Sequence, residues 1–370
     1  MKILITGATG FIGSHLVEEL KKDKKNSIRC LVLKNSPIFK KNREKRELEL
    51  KNLGVEIFYG DLLDKDSLIN ALKGVEKVYH LAAISRPMNV EKHVYYDINV
   101  IGTKNLFEAC KIKKVKKIIH VSTMSVFGFS RNGNPLNENS PKLPVSDYGE
   151  SKKQAEDFAF DFCKKNKIQL VVIRPPMVFG PRDFQFLRLF KLINTGFFPL
   201  LKKGRAKLEF CYVKNLVNGI ILADKYGKNL EAYDISDGQT YTIKEVFGKI
   251  AEVEGKKLFP FSVPVFSVRI IGWIFEKTYG LFGKKAPFNS GTGLWMSKDN
   301  VMDISKAKKE IKYSNKINLE ESIKETVKWY QKNNMLPTPK GGNLKSSSTC
   351  FLDDPKLKPV NFGHKSEGLL

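Results

Sequence analysis

Cysteine is scarce, five in 370 residues, and no two cysteines stand as a Cys-x-x-Cys pair, which excludes a zinc ribbon and a disulfide framework. Cys30, Cys110, Cys163 and Cys211 fall inside apolar strand or helix patterns, so the cysteines read as buried free thiols of a reducing compartment. Histidine is equally thin. His15, His80, His93, His120 and His364 lack any ligand-like spacing, and no metal is expected. Long apolar runs are missing as well, since nothing approaches the ~20 residues needed to span a bilayer. The nearest case, Leu258–Gly283, is broken by Pro260, Pro264, Arg269, Glu276 and Lys277. No room for a secretory leader precedes the first apolar run, Lys2–Thr6, so a cytoplasmic protein is expected. Arginine is outnumbered, 10 against 54 lysines, within a formal net charge of +25. The lysines come in short runs such as Lys21–Lys25, Lys111–Lys117 and Lys164–Lys167 with no nucleic-acid-binding motif beside them, so they read as solvated helix faces and no specific nucleic-acid partner is expected.

What is present is an ample core, with 42% apolar and 11% aromatic residues. Through the first half, short runs rich in Ile and Val alternate with longer helical patterns, the signature of βαβ units and a parallel sheet. Strands are predicted at Lys2–Thr6, Ile28–Leu33, Val55–Tyr59, Lys77–Leu81, Lys117–Val121 and Leu170–Arg174, and helices at Ile12–Lys22, Lys65–Lys73, Val90–Ile112 and Tyr148–Asn166. This gives an α/β class, a Rossmann doubly wound parallel sheet over residues 1–175. Residues 176–335 are expected to form a smaller, mixed α/β lobe interleaved with it. Its predicted pieces are a helix Phe184–Asn194, strands Leu208–Tyr212 and Ala232–Ile235, and a helix Ile243–Val253 capped by Thr242 with Glu245 completing a capping box. From about Leu336 the PTPKGG and SSST clusters carry no periodicity and read as a disordered tail, 336–370.

Chemistry starts at the glycines. Gly7, Gly10 and Gly13 follow the first strand and open the first helix, so backbone amides and the positive helix end can approach a pyrophosphate without side-chain obstruction. Only one Tyr-x-x-x-Lys pair exists, Tyr148 and Lys152, at the start of a helix pattern and 25 residues after Thr123 at the end of the fifth strand. A phenol with a pKa near ~10 is a poor base at neutral pH, and an ammonium one helical turn away stabilises its phenolate.

Together TGATGFIGSH, Gly60–Leu62, His80–Ala83, Asn99 in NVIGT, VSTMSVFG, YGESK and RPPMVFGP occur in the order of the extended short-chain dehydrogenase/reductases, which this chain resembles over about residues 1–335. The resemblance implies a catalytic set of Thr123, Tyr148, Lys152 and Asn99. Tyr148 would exchange a proton with a substrate hydroxyl or carbonyl, Thr123 would hydrogen-bond that oxygen, Lys152 would hold the ribose hydroxyls, and Asn99 would support the lysine through water. It also implies that Gly7, Thr9, Gly10, Phe11, Ile12, Gly13, Lys34, Asp61, Leu62, Ala82, Ala83, Tyr148, Lys152, Pro175 and Val178 line the nicotinamide cofactor, and that the chain pairs as a homodimer through the helices Val90–Ile112 and Tyr148–Asn166. No acid precedes Glu44 after the second strand, and Lys34, with Lys40, Lys41 and Arg43 near, could meet a 2′-phosphate. This favours NADP, with NAD the alternative.

For the substrate two readings stand. The sugar-nucleotide branch usually carries asparagine where Met177 stands, and the segments Tyr212–Leu216 and Tyr233–Gly238 resemble the 3β-hydroxysteroid dehydrogenase and dihydroflavonol reductase-like branch instead. That points to a secondary alcohol or ketone on an apolar, sterol-like or polyprenoid small molecule. The alternative is a nucleotide-sugar 4-epimerase or dehydratase using tightly bound NAD, with Lys202, Lys203 and Arg205 gripping the diphosphate. Dehydration is disfavoured, because Met124–Ser125 stands where that branch has Asp–Glu. The apolar stretch Phe259–Phe282 suits a lid, a packed helix or a helix lying on a membrane surface.

Overall fold

A computed structural model describes residues 1–34, 40–85, 91–130, 133–196, 200–258 and 298–338, with a few further positions between 262 and 270. The first half follows the βα alternation: β1 Lys2–Thr6, α1 Phe11–Lys21, β2 Ser27–Val32, α2 Lys40–Asn52, β3 Glu56–Tyr59, α3 Lys65–Ala71, β4 Lys77–His80 and α4 Lys92–Tyr96. A π-helical turn, Asp97–Ile101, leads into α5 Gly102–Ile112, β5 Lys117–Val121, a 3₁₀ turn Met124–Val126, α6 Asp147–Asn166 and β6 Gln169–Arg174. The second half comprises β7 Met177–Phe179, α7 Leu187–Asn194, β8 Leu200–Leu201, β9 Lys207–Leu208, β10 Phe210–Tyr212, α8 Val213–Tyr226, β11 Glu231–Asp234, β12 Tyr241–Thr242, α9 Ile243–Val253, α10 Ser305–Glu310 and α11 Leu319–Lys332.

Seven strands form one sheet in the order β11-β6-β5-β4-β1-β2-β3, and every pairing in it is parallel. The chain leaves β1 through β2 and β3 on one side and returns at β4 on the other. Neighbouring crossovers therefore part at the carboxyl ends of β1 and β4, the crevice where such sheets take ligands. Apolar clusters cover both faces: Leu16 and Val17 of α1 with Ile220 of α8 on one, Leu68 of α3 with Leu106 and Phe107 of α5 on the other. A third cluster, around Phe190, Phe210, Phe247 and Tyr330, is the core of the second half.

Five readings of the sequence change. Residues Ala232–Ile235, expected as a lobe strand, appear as β11 and join the central sheet beside β6, because α8 packs across the face shared with α1 and returns the chain to the sheet edge. The helix α2 went unpredicted; its thirteen residues hold only Leu48 and Leu50 as apolar side chains, so no helical stripe betrays it. The single long helix expected at Val90–Ile112 is broken by the π turn, and the expected strand Leu208–Tyr212 is interrupted at Glu209, whose amide donates to Asn300 O at 3.0 Å. Leu336 is 3% exposed within the third cluster, so a loose tail does not begin there. Residues 339–370 and most of the Phe259–Phe282 stretch lie outside the described residues. No described helix is long and apolar enough to cross a membrane.

Candidate active site

Three glycines shape the turn between β1 and α1 because side chains would not fit. Gly7 has φ +73°, and a Cβ on it would sit 2.7 Å from Ala82 N. A Cβ on Gly13 would come within 2.1 Å of Gly7 O, and one on Gly10 within 2.9 Å of the same oxygen, which Gly10 N already meets at 2.8 Å. No side chain caps α1 and no acid occupies its first turn, so its leading amides and helix dipole present a positive, uncovered end. This cradle fits a dinucleotide pyrophosphate. Further along the crevice, Asp61 accepts from Leu63 N at 3.0 Å, Leu62 is buried beneath Gly102, and Ala82 and Ala83 are half-buried. Lys34 is exposed at the end of β2; the side chains of Lys40, Lys41 and Arg43 lie outside the described residues.

A hydrogen-bonded chain braces the crevice floor. Ala82 N donates to Thr6 Oγ1 at 3.2 Å, Thr6 Oγ1 lies 2.8 Å from His80 Nδ1, His80 Nε2 lies 2.9 Å from Thr103 Oγ1, and Thr103 donates to Asn99 O at 2.6 Å. Because Thr103 gives its proton to Asn99, it must accept from His80 Nε2–H, and Nδ1 then accepts from Thr6; the network fixes the tautomer. Burial, with the Lys152 charge adding to it, pushes His80 down to about 3, so the imidazole is neutral as this chain requires.

Thr123, Tyr148 and Lys152 converge on the same region from two elements. Thr123 caps the 3₁₀ turn by accepting from Ser125 N at 3.2 Å. The first turn of α6 fits directly against this turn, since a Cβ on Gly149 would lie 2.6 Å from Ser125 O; Ser146 caps the helix by accepting from Gly149 N at 3.1 Å. Tyr148 and Lys152 are therefore one helical turn apart on the α6 face beside Thr123. The Tyr148 ring is half-buried, 6.3 Å from that of Tyr95, and packs with Ile84 and Val94. Lys152 is buried and donates to Val121 O at 2.9 Å; desolvation lowers it to about 8, against the pull of Glu156 one turn on.

Asn99 does more than water-mediated support would require. Its Oδ1 accepts from Ile84 N at 2.8 Å, and its Nδ2 reaches Ile84 O at 3.1 Å and Ser151 Oγ at 2.9 Å. Its side chain thus ties the strand extension after β4 to the helix carrying the Tyr–Lys pair, from a π-helical turn of the kind that recurs at functional sites. On the far wall, Pro175 O accepts from Met124 N at 2.9 Å, and Met177 and Val178 stand half-buried on β7. Met124 is 4% exposed and belongs to the core, so its side chain is not presented to the crevice. Beneath this wall Arg174 makes a two-pronged ion pair with Glu156 at 3.1 and 2.6 Å and stacks on Phe127. Sequence reasoning missed Ser151, Thr103 and Arg46, whose roles arise only from what the fold brings beside them.

Residues 3–236 match the profile described as NAD dependent epimerase/dehydratase family. The chain belongs to that family. Among curated family relatives, an N-acetyl-alpha-D-glucosaminyl-diphospho-ditrans,octacis-undecaprenol 4-epimerase of Escherichia coli O157:H7 is 30% identical over 292 residues, covering 78% of this chain and 83% of the relative. A decarboxylating sterol-4-alpha-carboxylate 3-dehydrogenase of Dictyostelium discoideum is 27% identical over 335 residues, covering 87% and 99%. Among solved structures, UDP-glucuronic acid 4-epimerase from Bacillus cereus in complex with NAD is similar with a TM-score of 0.71 and 26% identity, covering 90% of this chain and 99% of that one. As in this NAD-dependent family generally, the fold is a Rossmann-like parallel sheet.

Proposed function

We propose that the protein is an NAD(P)-dependent oxidoreductase that interconverts a secondary alcohol and a ketone on an apolar, sterol-like or polyprenoid substrate. The observation that carries the reading is the far wall of the crevice. Met177, half-buried against the apolar core of the second half, puts a thioether where a grip on a nucleotide phosphate would need a polar group, and Met124 lies in the core where a dehydratase would need an acid. The sterol dehydrogenase among the relatives agrees in substrate class by its name.

The nicotinamide supplies or accepts the hydride at the carbinol carbon. In the proposed reaction the residues of this chain handle the proton and the geometry. Tyr148 Oη transfers the proton of the substrate oxygen, and Thr123 Oγ1 donates a hydrogen bond to the same oxygen. Lys152 lowers the cost of the phenolate by its charge and holds the ribose hydroxyls. Asn99 is a positioning residue, holding Ile84 and, through Ser151, the helix turn that carries the pair. The exposed Lys34 at the end of β2, where no acid stands, supports a preference for NADP. Dimerisation through the helices Val90–Ile112 and Tyr148–Asn166, which the family resemblance implies, and a peripheral membrane contact are further parts of this proposal.

The epimerase reading is supported by the likeness to the NAD-bound UDP-glucuronic acid 4-epimerase and by the 30% identity to the undecaprenol-linked 4-epimerase. Purified protein offered apolar secondary alcohols with NADP⁺ or NAD⁺, and separately UDP- and dTDP-sugars, distinguishes the two. Net appearance of reduced cofactor with the alcohols is expected. Turnover of a nucleotide sugar with no net change in cofactor absorbance sinks the first reading.

A further inference from the structure

Four successive carbonyls in the loop after β7 are each held, the first within the loop and the other three by three different helices. Gly180 O accepts from Asp183 N at 3.1 Å, Pro181 O lies 2.9 Å from His15 Nε2 of α1, Arg182 O accepts from Arg46 Nη2 of α2 at 2.6 Å, and Asp183 O accepts from Tyr330 Oη of α11 at 2.6 Å. Burial lowers His15 to about 4, so its neutral ring donates to Pro181 O. Arg182 itself sits at φ +74°, in the left-handed region that a non-glycine residue occupies only when its surroundings hold it there. Beyond this point the Asp183 carboxylate accepts from Gln185 N and Phe186 N, which starts the path into α7, and Gln185 Nε2 reaches back to Ser85 Oγ at 3.1 Å. Ser85 directly follows Ile84, the residue that Asn99 pins.

Arg46 differs from the other grips in having a second attachment. Its Nη1 donates to Thr9 O at 3.0 Å, within the glycine turn, and its plane lies over the Phe184 ring with 5.6 Å between guanidinium carbon and ring centre. The side chain is 9% exposed. A planar guanidinium is suited to this double duty, because its fork presents donors in two fixed directions at once, whereas an ammonium is a single point.

We propose that Arg46 is a positioning residue that couples dinucleotide binding to the placement of the Gly180–Gln185 loop. An anion seated on the glycine turn fixes Thr9, Thr9 fixes the guanidinium, and the guanidinium fixes the loop that leads from the Met177 wall into α7. The inference rests on the reading that the glycine turn takes the dinucleotide, and it adds that the second half of the molecule responds to that event.

The test uses the full chain as wild type, Arg46→Lys, Arg46→Met and Tyr330→Phe, with NADH and NADPH titrated by nicotinamide fluorescence and amide hydrogen exchange followed over residues 184–194. In the wild type, saturating dinucleotide slows exchange in that segment. Arg46→Lys and Arg46→Met each weaken dinucleotide binding by about tenfold, the scale of one lost charged hydrogen bond, and even at saturation lose the protection of residues 184–194. Tyr330→Phe, which loosens the loop without touching the glycine turn, speeds exchange there yet keeps dinucleotide affinity within about twofold. Arg46→Lys retains the charge, so its failure assigns the effect to the two-directional fork. Wild-type affinity and wild-type protection in Arg46→Lys overturn the coupling while leaving the cofactor reading intact. A wild type that binds neither dinucleotide overturns the cofactor reading itself.

Discussion

Lys152 carries a charge in a place that disfavours it. Burial lowers it from an ordinary 10.5 to about 8, so between those values the unfolded chain holds a proton that the folded protein does not. Stability attributable to this group therefore rises with pH from about 8 to 10.5, and below 8 the full penalty of the buried ammonium is present. Replacement by methionine removes that penalty, worth up to about 3 kcal/mol, less what is lost with the bond to Val121 O. Denaturant melts of wild type and Lys152→Met are expected to show the variant equal or more stable at pH 7, with the difference shrinking toward pH 10; a variant that is less stable at every pH contradicts this. Tyr148→Phe is expected to lower kcat by about a thousandfold while dinucleotide affinity stays within twofold, read by steady-state kinetics beside a fluorescence titration. At this scale the sequence was informative where spacing alone carries chemistry, as in the glycines and the Tyr148–Lys152 turn. It was silent on Arg46 and Ser151, which are unremarkable polar residues until folding sets carbonyls and Asn99 beside them.

Elements in this fold are placed by a few close approaches. The contact of Gly149 with Ser125 O brings α6 against the Thr123 turn, and any Cβ there must push the two apart. Gly149→Val is thus expected to destabilise the protein by about 1–3 kcal/mol and, if the proposed reaction holds, to lower kcat more than KM, because it moves Tyr148 away from the Thr123 turn. Thermal melts and steady-state kinetics check both parts, and unchanged kcat removes the argument. Asn99 plays a comparable part from the π turn. Asn99→Leu leaves the Ile84 amide and carbonyl without that partner, at about 1–3 kcal/mol for each group that stays dry. The π turn was hidden because Val90–Ile112 keeps one helical apolar stripe throughout, and a one-residue bulge shifts that stripe too little to read. The helix α2 was hidden for the opposite reason, having almost no stripe at all. Capping is more local, and the Thr242–Glu245 box appears at the predicted start of α9.

Across the whole molecule, a parallel sheet with both faces covered sets the crevice, and the second half closes one wall of it through β7, α7 and the loop between them. The sheet class was legible because βα alternation is a repeating signal; the place of the seventh strand in it was not, because β11 comes late and only the return of α8 carries it to the sheet edge. Cofactor choice belongs to this scale too, since it depends on the field at the end of β2. Lys34→Asp is expected to shift the ratio of NADPH to NADH affinity toward NADH by about tenfold, measured by competitive titration. An unchanged ratio would remove Lys34 from the 2′-phosphate site. The most direct test of the account as a whole is isotope transfer: wild type and Tyr148→Phe incubated with reduced nicotinamide cofactor carrying two deuterons at C4 and, in separate reactions, with a panel of apolar ketones or with UDP- and dTDP-sugars. Deuterium is predicted to appear at the new carbinol carbon with the wild type and to be almost absent with the variant. Equal transfer by the variant, or no transfer to any ketone while a nucleotide sugar is turned over without consumption of the reduced cofactor, would contradict the account.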